Sequence, residues 1–193
     1  MTKWLSHRMV ERGIIKEEEQ ELYQFGIRNG MILLLNVVTA LVIGLLTEQL
    51  AVVAVFTLSF MVLRSYTGGY HSDSRVFCYL GSNLVLLVPV YTQAVFYKTS
   101  LAWLLAVLLV SAGIIFLLSP MHSKNRKLDK EEQKHFGRKA RLIAALELAV
   151  LGILWHAGQI PYAYAVYTGI CITALFMIVG KAQLWIQSHT ENG

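Results

Sequence analysis

Residues 64–78 hold a potential nucleophile, a potential base and a fixed positive charge at even spacing: Arg64-Ser-Tyr-Thr-Gly68-Gly69-Tyr-His71-Ser-Asp-Ser-Arg-Val-Phe-Cys78. Six residues separate Arg64 from His71, and six separate His71 from Cys78. A thiol reacts as its thiolate, so the surroundings of Cys78 decide its reactivity. If the helix that follows begins near Asp73 or Ser74, either residue can cap it by accepting a backbone N–H. Cys78 then falls in the first turn or just above it. The positive end of the helix dipole favours an anion there, and Arg75, three residues away on the same face, adds a cation. Nearby lipid works the other way, because low dielectric favours the neutral thiol. An imidazolium beside the sulfur would tip the balance toward a thiolate–imidazolium pair.

His71 is the only histidine in this segment. One straight helix over 71–78 would separate the two residues by about 10 Å along its axis, too far for proton transfer. A dyad therefore demands that His71 precede the helix on a segment folded back over it. Gly68 and Gly69 permit that fold, because glycine reaches backbone conformations other residues avoid. Arg64 has two readings: a basic side chain snorkelling to the membrane interface, or a donor to a substrate carbonyl or developing oxyanion. Asp73 and Asn83 are the nearest groups that could orient a base, and neither has compelling spacing. No two-histidine zinc motif is present; His7, His122, His135, His156 and His189 are scattered singly.

The elements that must position these residues are apolar. The chain has 193 residues, of which 55% are hydrophobic and only 15% charged, and its mean hydropathy is +0.52. That is low charge for a soluble domain and points to the bilayer as solvent. The expected fold is an all-α integral membrane protein forming a single domain over 1–193. It divides into an amphipathic segment 1–29, the reactive segment 64–78 and a basic loop 119–141. Six apolar segments stand out: Met31 to Leu46, Leu50 to Leu63, Val76 to Tyr97, Leu101 to Leu118, Leu142 to His156 and Tyr162 to Val179. A crossing needs about 20 residues, or about 17 at the short end. The second and fifth fall below that. About six transmembrane helices is the leading count, and four plus two partly inserted helices the competing one.

With the N-terminus in the cytoplasm, 16 of the 17 Lys and Arg residues fall on cytoplasmic segments, and only Lys98 lies outside. The positive-inside rule therefore places both termini in the cytoplasm. Trp4, Leu5, Met9, Ile14, Ile15, Leu22 and Phe25, interleaved with basic residues, predict one or two interfacial helices over the first 25 residues; a plain cytosolic leader is the alternative. Glu17, Glu18, Glu19 and Glu21 before the first apolar run argue against a cleaved signal peptide. The two cysteines, Cys78 and Cys171, are expected at different depths, which disfavours a bond between them.

At Arg64, Gly68, Gly69, His71 and Cys78 the chain resembles the accessory gene regulator B (AgrB) family of membrane endopeptidases. These process cyclic-peptide precursors for bacterial quorum sensing. The resemblance lies in an arginine, a Gly-Gly pair just before a histidine, and a cysteine seven positions after it. It implies that Cys78 is the nucleophile and His71 its base and later its acid. It also implies a homodimer in the bacterial cell membrane, multi-pass, with its active site on the cytoplasmic side. The implied partner is a precursor peptide of the AgrD type, with an amphipathic leader, a core bearing a cysteine or serine, and an acidic tail. The implied reaction removes the tail and closes the core to a thiolactone or lactone through a thioester. It needs no cofactor and no metal, and no nucleic-acid partner is expected.

The loop from His122 to Arg141 carries eight Lys or Arg residues against Asp129, Glu131 and Glu132. Lys124, Arg126, Lys127 and Lys130 could hold the precursor's acidic tail or anionic lipid headgroups; a topology signal alone is the bland reading. Other functional classes stay open. A non-enzymatic membrane scaffold or peptide exporter would tolerate Cys78→Ser. An acyltransferase could use the same thiol without cleaving a peptide.

Overall fold

The computed structural model describes residues 2–68, 75–121 and 129–190. They form helices α1 (Thr2–Glu11), α2 (Gln20–Leu46), α3 (Leu50–Thr67), α4 (Arg75–Tyr91), α5 (Gln93–Lys98), α6 (Leu101–Leu118), α7 (Lys130–His156) and α8 (Ile160–Thr190). No strand occurs among the described residues. Among the described residues, four helical stretches are long and apolar enough to cross a bilayer: Glu17–Leu46, Leu50–Thr67, Leu101–Leu118 and Ile160–Ile186.

Contacts divide the chain into two units, residues 1–39 and 40–193. In the first, α1 stops before Gly13, whose φ of +67° ends the helix. The amides of Gly13 and Ile14 return to the carbonyls of Val10 and Met9 at 2.9 Å. Trp4 and Leu5 are exposed, and the Arg8 guanidinium lies 5.0 Å from the Trp4 ring centroid. A 3-10 turn, Glu17–Glu19, leads into α2. Acidic residues there suit the positive end of the helix dipole.

The second unit is a bundle built around α8, which packs against α3, α4, α5, α6 and α7. Gly169 on α8 lets α3 come close, since a Cβ there would lie 3.5 Å from the Phe60 amide nitrogen, and Ala163, Ala165 and Ala174 are buried on the same helix. Such residues favour helix association where lipid removes the hydrophobic drive between helices. Phe56 and Leu63 of α3, Ile115 of α6 and Ile170 and Met177 of α8 are fully buried. Leu109 and Leu117 of α6 stay exposed, as lipid-facing residues do.

Sequence features fix the turns. Gly44 lets α3 start against the last turn of α2, since a Cβ there would lie 2.8 Å from the Leu50 Cα. Asp129 precedes α7, and the Glu132 carboxylate accepts the Asp129 N–H at 3.3 Å, one half of a capping box. Gly158, with φ +72°, ends α7 in the left-handed conformation common after helices. Pro161 sits in the first turn of α8, where a missing N–H costs nothing.

Three expectations change. The apolar segment from Val76 to Tyr97 is not one helix, because α4 ends at Tyr91 and α5 starts at Gln93. Pro89 lacks the N–H that would continue the ladder. Thr92 bends the chain, its hydroxyl 2.8 Å from the Val88 carbonyl and 2.6 Å from the Tyr164 hydroxyl. The fifth apolar segment is only the second half of α7, whose first half is polar. The second segment is longer than its apolar run, because α3 continues through Arg64 to Thr67 and reaches 18 residues.

Candidate functional site

The segment from Arg64 to Cys78 begins on the last turn of α3. Gly68 caps that helix, its amide bonding the Arg64 carbonyl at 3.2 Å. It adopts φ +71° and ψ −154°, a combination essentially confined to glycine. Space imposes the same choice, since a Cβ on Gly68 would lie 2.7 Å from the Met121 carbonyl oxygen. The Met121 amide in turn donates to the Thr67 carbonyl at 2.9 Å. Thr67 and Met121 are both buried. The end of α3 and the segment after α6 are thus joined at one junction.

The first half of α7 closes that junction. Gly137 packs on Pro120, where a Cβ would meet the Pro120 Cδ at 3.0 Å. The Tyr66 and Phe136 ring centroids are 6.3 Å apart, and the Lys139 Nζ stands 5.8 Å from the Tyr66 ring. Arg141 donates through Nε to the Phe116 carbonyl at 3.1 Å. It supplies a cation to the C-terminal end of α6, where the dipole is negative. The C-terminal ends of α3 and α6 and the first half of α7 therefore lie at the same end of the bundle. At the opposite end the Phe96 ring packs against Tyr164 at 4.8 Å, Tyr167 at 5.3 Å and Trp155 at 6.2 Å.

Arg64 is half-buried. Its guanidinium lies 4.7 Å from the Phe176 ring centroid and 6.0 Å from that of Phe60. Nη1 reaches the Gly68 carbonyl at 3.5 Å. A planar cation stacked on an aromatic ring is held in a way an ammonium would not be. Arg75 opens α4, and Cys78 lies in its first turn. His71, Gly69 and Asp73 lie outside the described residues, as do Lys124, Arg126 and Lys127; Lys130 opens α7. Asn83 lies five residues beyond Cys78 on α4, and its Oδ1 has no hydrogen-bond partner among the described residues. Among those residues, no three His, Cys, Asp or Glu side chains cluster as metal ligands.

One polar contact escaped the sequence reading. Ser59 of α3 donates to Oε2 of Glu147 on α7 at 2.8 Å. Ser59 is buried and Glu147 half-buried. The signal was available: Glu147 is the only acid between Glu132 and Glu191, set in the apolar half of α7. An acidic residue at the centre of a membrane helix costs about 2.5–3.5 kcal/mol on insertion scales. A hydrogen bond returns roughly 1 kcal/mol, so Glu147 lowers the insertion tendency of α7 on balance.

The described residues define an all-helical membrane protein in which the ends of α3 and α6 meet at one end of the bundle. The chain belongs to the accessory gene regulator B family, whose match covers residues 1–179. It is 23% identical over 148 residues to an AgrB-like protein of Clostridium perfringens strain SM101, covering 74% of this chain and 69% of the relative. It is 25% identical over 156 residues to the accessory gene regulator protein B of Staphylococcus intermedius, covering 79% and 80%. No solved structure matches the chain.

Proposed function

We propose that this protein is a membrane cysteine endopeptidase that removes the C-terminal tail of a quorum-sensing precursor peptide and cyclises the remaining core. One observation carries the reading: the family match spans the segment holding Arg64, Gly68, Gly69, His71 and Cys78. The start of α4 at Arg75 supports it, because it puts Cys78 in a helix's first turn. There the unpaired backbone N–H groups and the dipole favour a thiolate.

The chemistry runs in two transfers. The Cys78 thiolate attacks the carbonyl that joins core to tail. The tetrahedral intermediate collapses as protonated His71 gives its proton to the leaving amine, which departs as the new N-terminus of the tail. The core stays on Cys78 as a thioester. A thiol or hydroxyl within the core then loses its proton to His71 and attacks the thioester carbonyl. A thiolactone or lactone forms, and Cys78 leaves as thiolate. A site at the membrane edge limits the water that would otherwise hydrolyse the thioester. Arg64 donates to the substrate carbonyl or the oxyanion in this scheme.

The precursor is of the AgrD type, and its acidic tail meets Lys124, Arg126, Lys127 and Lys130. The junction of Gly68 with Met121 supports this pairing, since the reactive segment and the basic loop begin side by side there. The site faces the cytoplasm of a bacterial cell membrane, and the enzyme acts as a homodimer.

Co-expression of a tagged precursor with wild type, Cys78→Ala and His71→Ala tests the reading. A tail-less product made by wild type and lost in both variants at normal membrane levels supports it. Unchanged processing in either variant sinks the mechanism and favours the scaffold or exporter.

A further inference from the structure

Three helices meet at Ser59. Its hydroxyl donates to Glu147 on α7 at 2.8 Å. On its other side lies Gly169 of α8, where a Cβ would stand 2.6 Å from the Ser59 Oγ and 3.3 Å from its Cβ. Glu147 is six residues beyond Arg141 and nine before His156, roughly 9 Å and 13 Å along the helix. No Lys, Arg or His pairs with it among the described residues. Ser59 is five residues, about 7.5 Å, from Arg64 on the same helix, whose cap is Gly68.

We propose that Glu147 is a positioning residue: its hydrogen bond to Ser59 fixes how far α3 slides along α7, and so sets Arg64 and the Gly68 turn at the height the reactive segment requires. The ring contacts that α7 makes with Tyr66 nearer the junction, through Phe136 and Lys139, depend less on direction and tolerate more sliding. The Ser59–Glu147 bond is directional and does not. This inference rests on the proposed peptidase function for its activity readout.

The test uses the full chain in membranes, with four variants. Glu147→Gln keeps an acceptor for Ser59. Glu147→Leu and Ser59→Ala remove the bond. Ser59→Ala combined with Gly169→Ala refills the space beside α8 without restoring the bond, so it separates packing from hydrogen bonding. Two readouts are taken at matched protein levels: precursor processing, and the yield with which a short bismaleimide joins Tyr66→Cys to Phe136→Cys in a background with both native cysteines replaced. Processing is expected to stay within threefold of wild type in Glu147→Gln. It is expected to fall tenfold or more in Ser59→Ala, in Glu147→Leu and in the Ser59/Gly169 double variant. Cross-linking yield should follow the same order.

Wild-type processing in Ser59→Ala overturns the proposal, and so does recovery in the double variant, which would make packing the whole effect. Equal loss in Glu147→Gln and Glu147→Leu also overturns it, because the acid itself would then be required. If wild type processes no precursor, the proposed function fails, and cross-linking alone decides the clamp. A fall in Ser59→Ala supports it, and an unchanged yield overturns it.

Discussion

The two cysteines occupy opposite kinds of position on neighbouring helices. Cys171 lies in the middle of α8, beside Ser111 and Tyr167, in the wall of an apolar hollow between α6 and α8 that Trp103, Val107 and Leu175 also line. It is surrounded by side chains that offer no positive charge. Cys78 lies in the first turn of α4, three residues after Arg75, which opens that helix. The same thiol is a small apolar filler in the first place and a candidate nucleophile in the second. Chemistry follows from where the helix ends fall.

That contrast can be broken most severely at Cys78. Cys78→Ala and His71→Ala are each expected to reduce precursor processing by at least roughly 10³-fold, read as tail-less peptide by mass spectrometry, since residues acting as one unit fail together. Gly68→Ala comes next. It forces a Cβ into the Met121 carbonyl at a positive φ, a strain of about 1–3 kcal/mol, so processing should drop roughly 10- to 100-fold while Cys78 remains present. Arg64→Lys keeps the charge and loses the planar stack on Phe176. A loss of about 2- to 5-fold is expected, corresponding to the roughly 0.5–1 kcal/mol of a cation–π contact. Cys171→Ala sharpens the comparison from the other side. Processing should stay within about twofold of wild type, because shortening a small apolar residue beside an open hollow costs little. A large loss there would mean that both thiols serve the reaction.

Much of the bundle was legible in the chain. The apolar run Leu101 to Leu118 coincides with α6, and the runs ending at Leu46 and Val179 sit inside α2 and α8. Hydropathy reports these well, because a bilayer leaves a helix no other way to satisfy its backbone. The break between α4 and α5 was harder to see. Pro89 announced it, but prolines are tolerated in membrane helices when neighbours compensate, and the hydroxyls of Thr92 and Tyr164 that shape the bend come from distant parts of the chain. The extension of α3 to Thr67 was hidden for a different reason. Arg64, Ser65 and Tyr66 look like a loop by polarity, yet they continue the helix because Tyr66 and Arg64 find aromatic partners on α7 and α8.

The candidate site was legible as a list of residues and much less as an arrangement. The spacing of Arg64, His71 and Cys78 is readable directly. The seat of Arg64 on Phe176 is not, because 112 positions separate the two in sequence. The glycine pair was read as letting the chain fold back over the next helix, through backbone conformations other residues avoid. Gly68 turns out to be a fixed cap with a required φ and no room for a methyl group. Glu147 was visible as a lone acid, but its partner Ser59 lies 88 residues away.

The central place of α8 also bears on how the molecule is made. Ribosomes deliver α3, α6 and α7 before α8, so the helix that all three rest against arrives after them. Until it does, Phe56, Ile115 and Ala144 have no finished neighbour to bury them, and Gly169 is not yet beside Ser59. The earlier helices must wait in the lipid as loosely associated pieces, exposed to membrane proteases and to mispairing with other newly inserted chains. Nascent chains halted before Ile160 should accordingly be degraded quickly, and the reactive segment cannot acquire its final seat until translation has passed Met177.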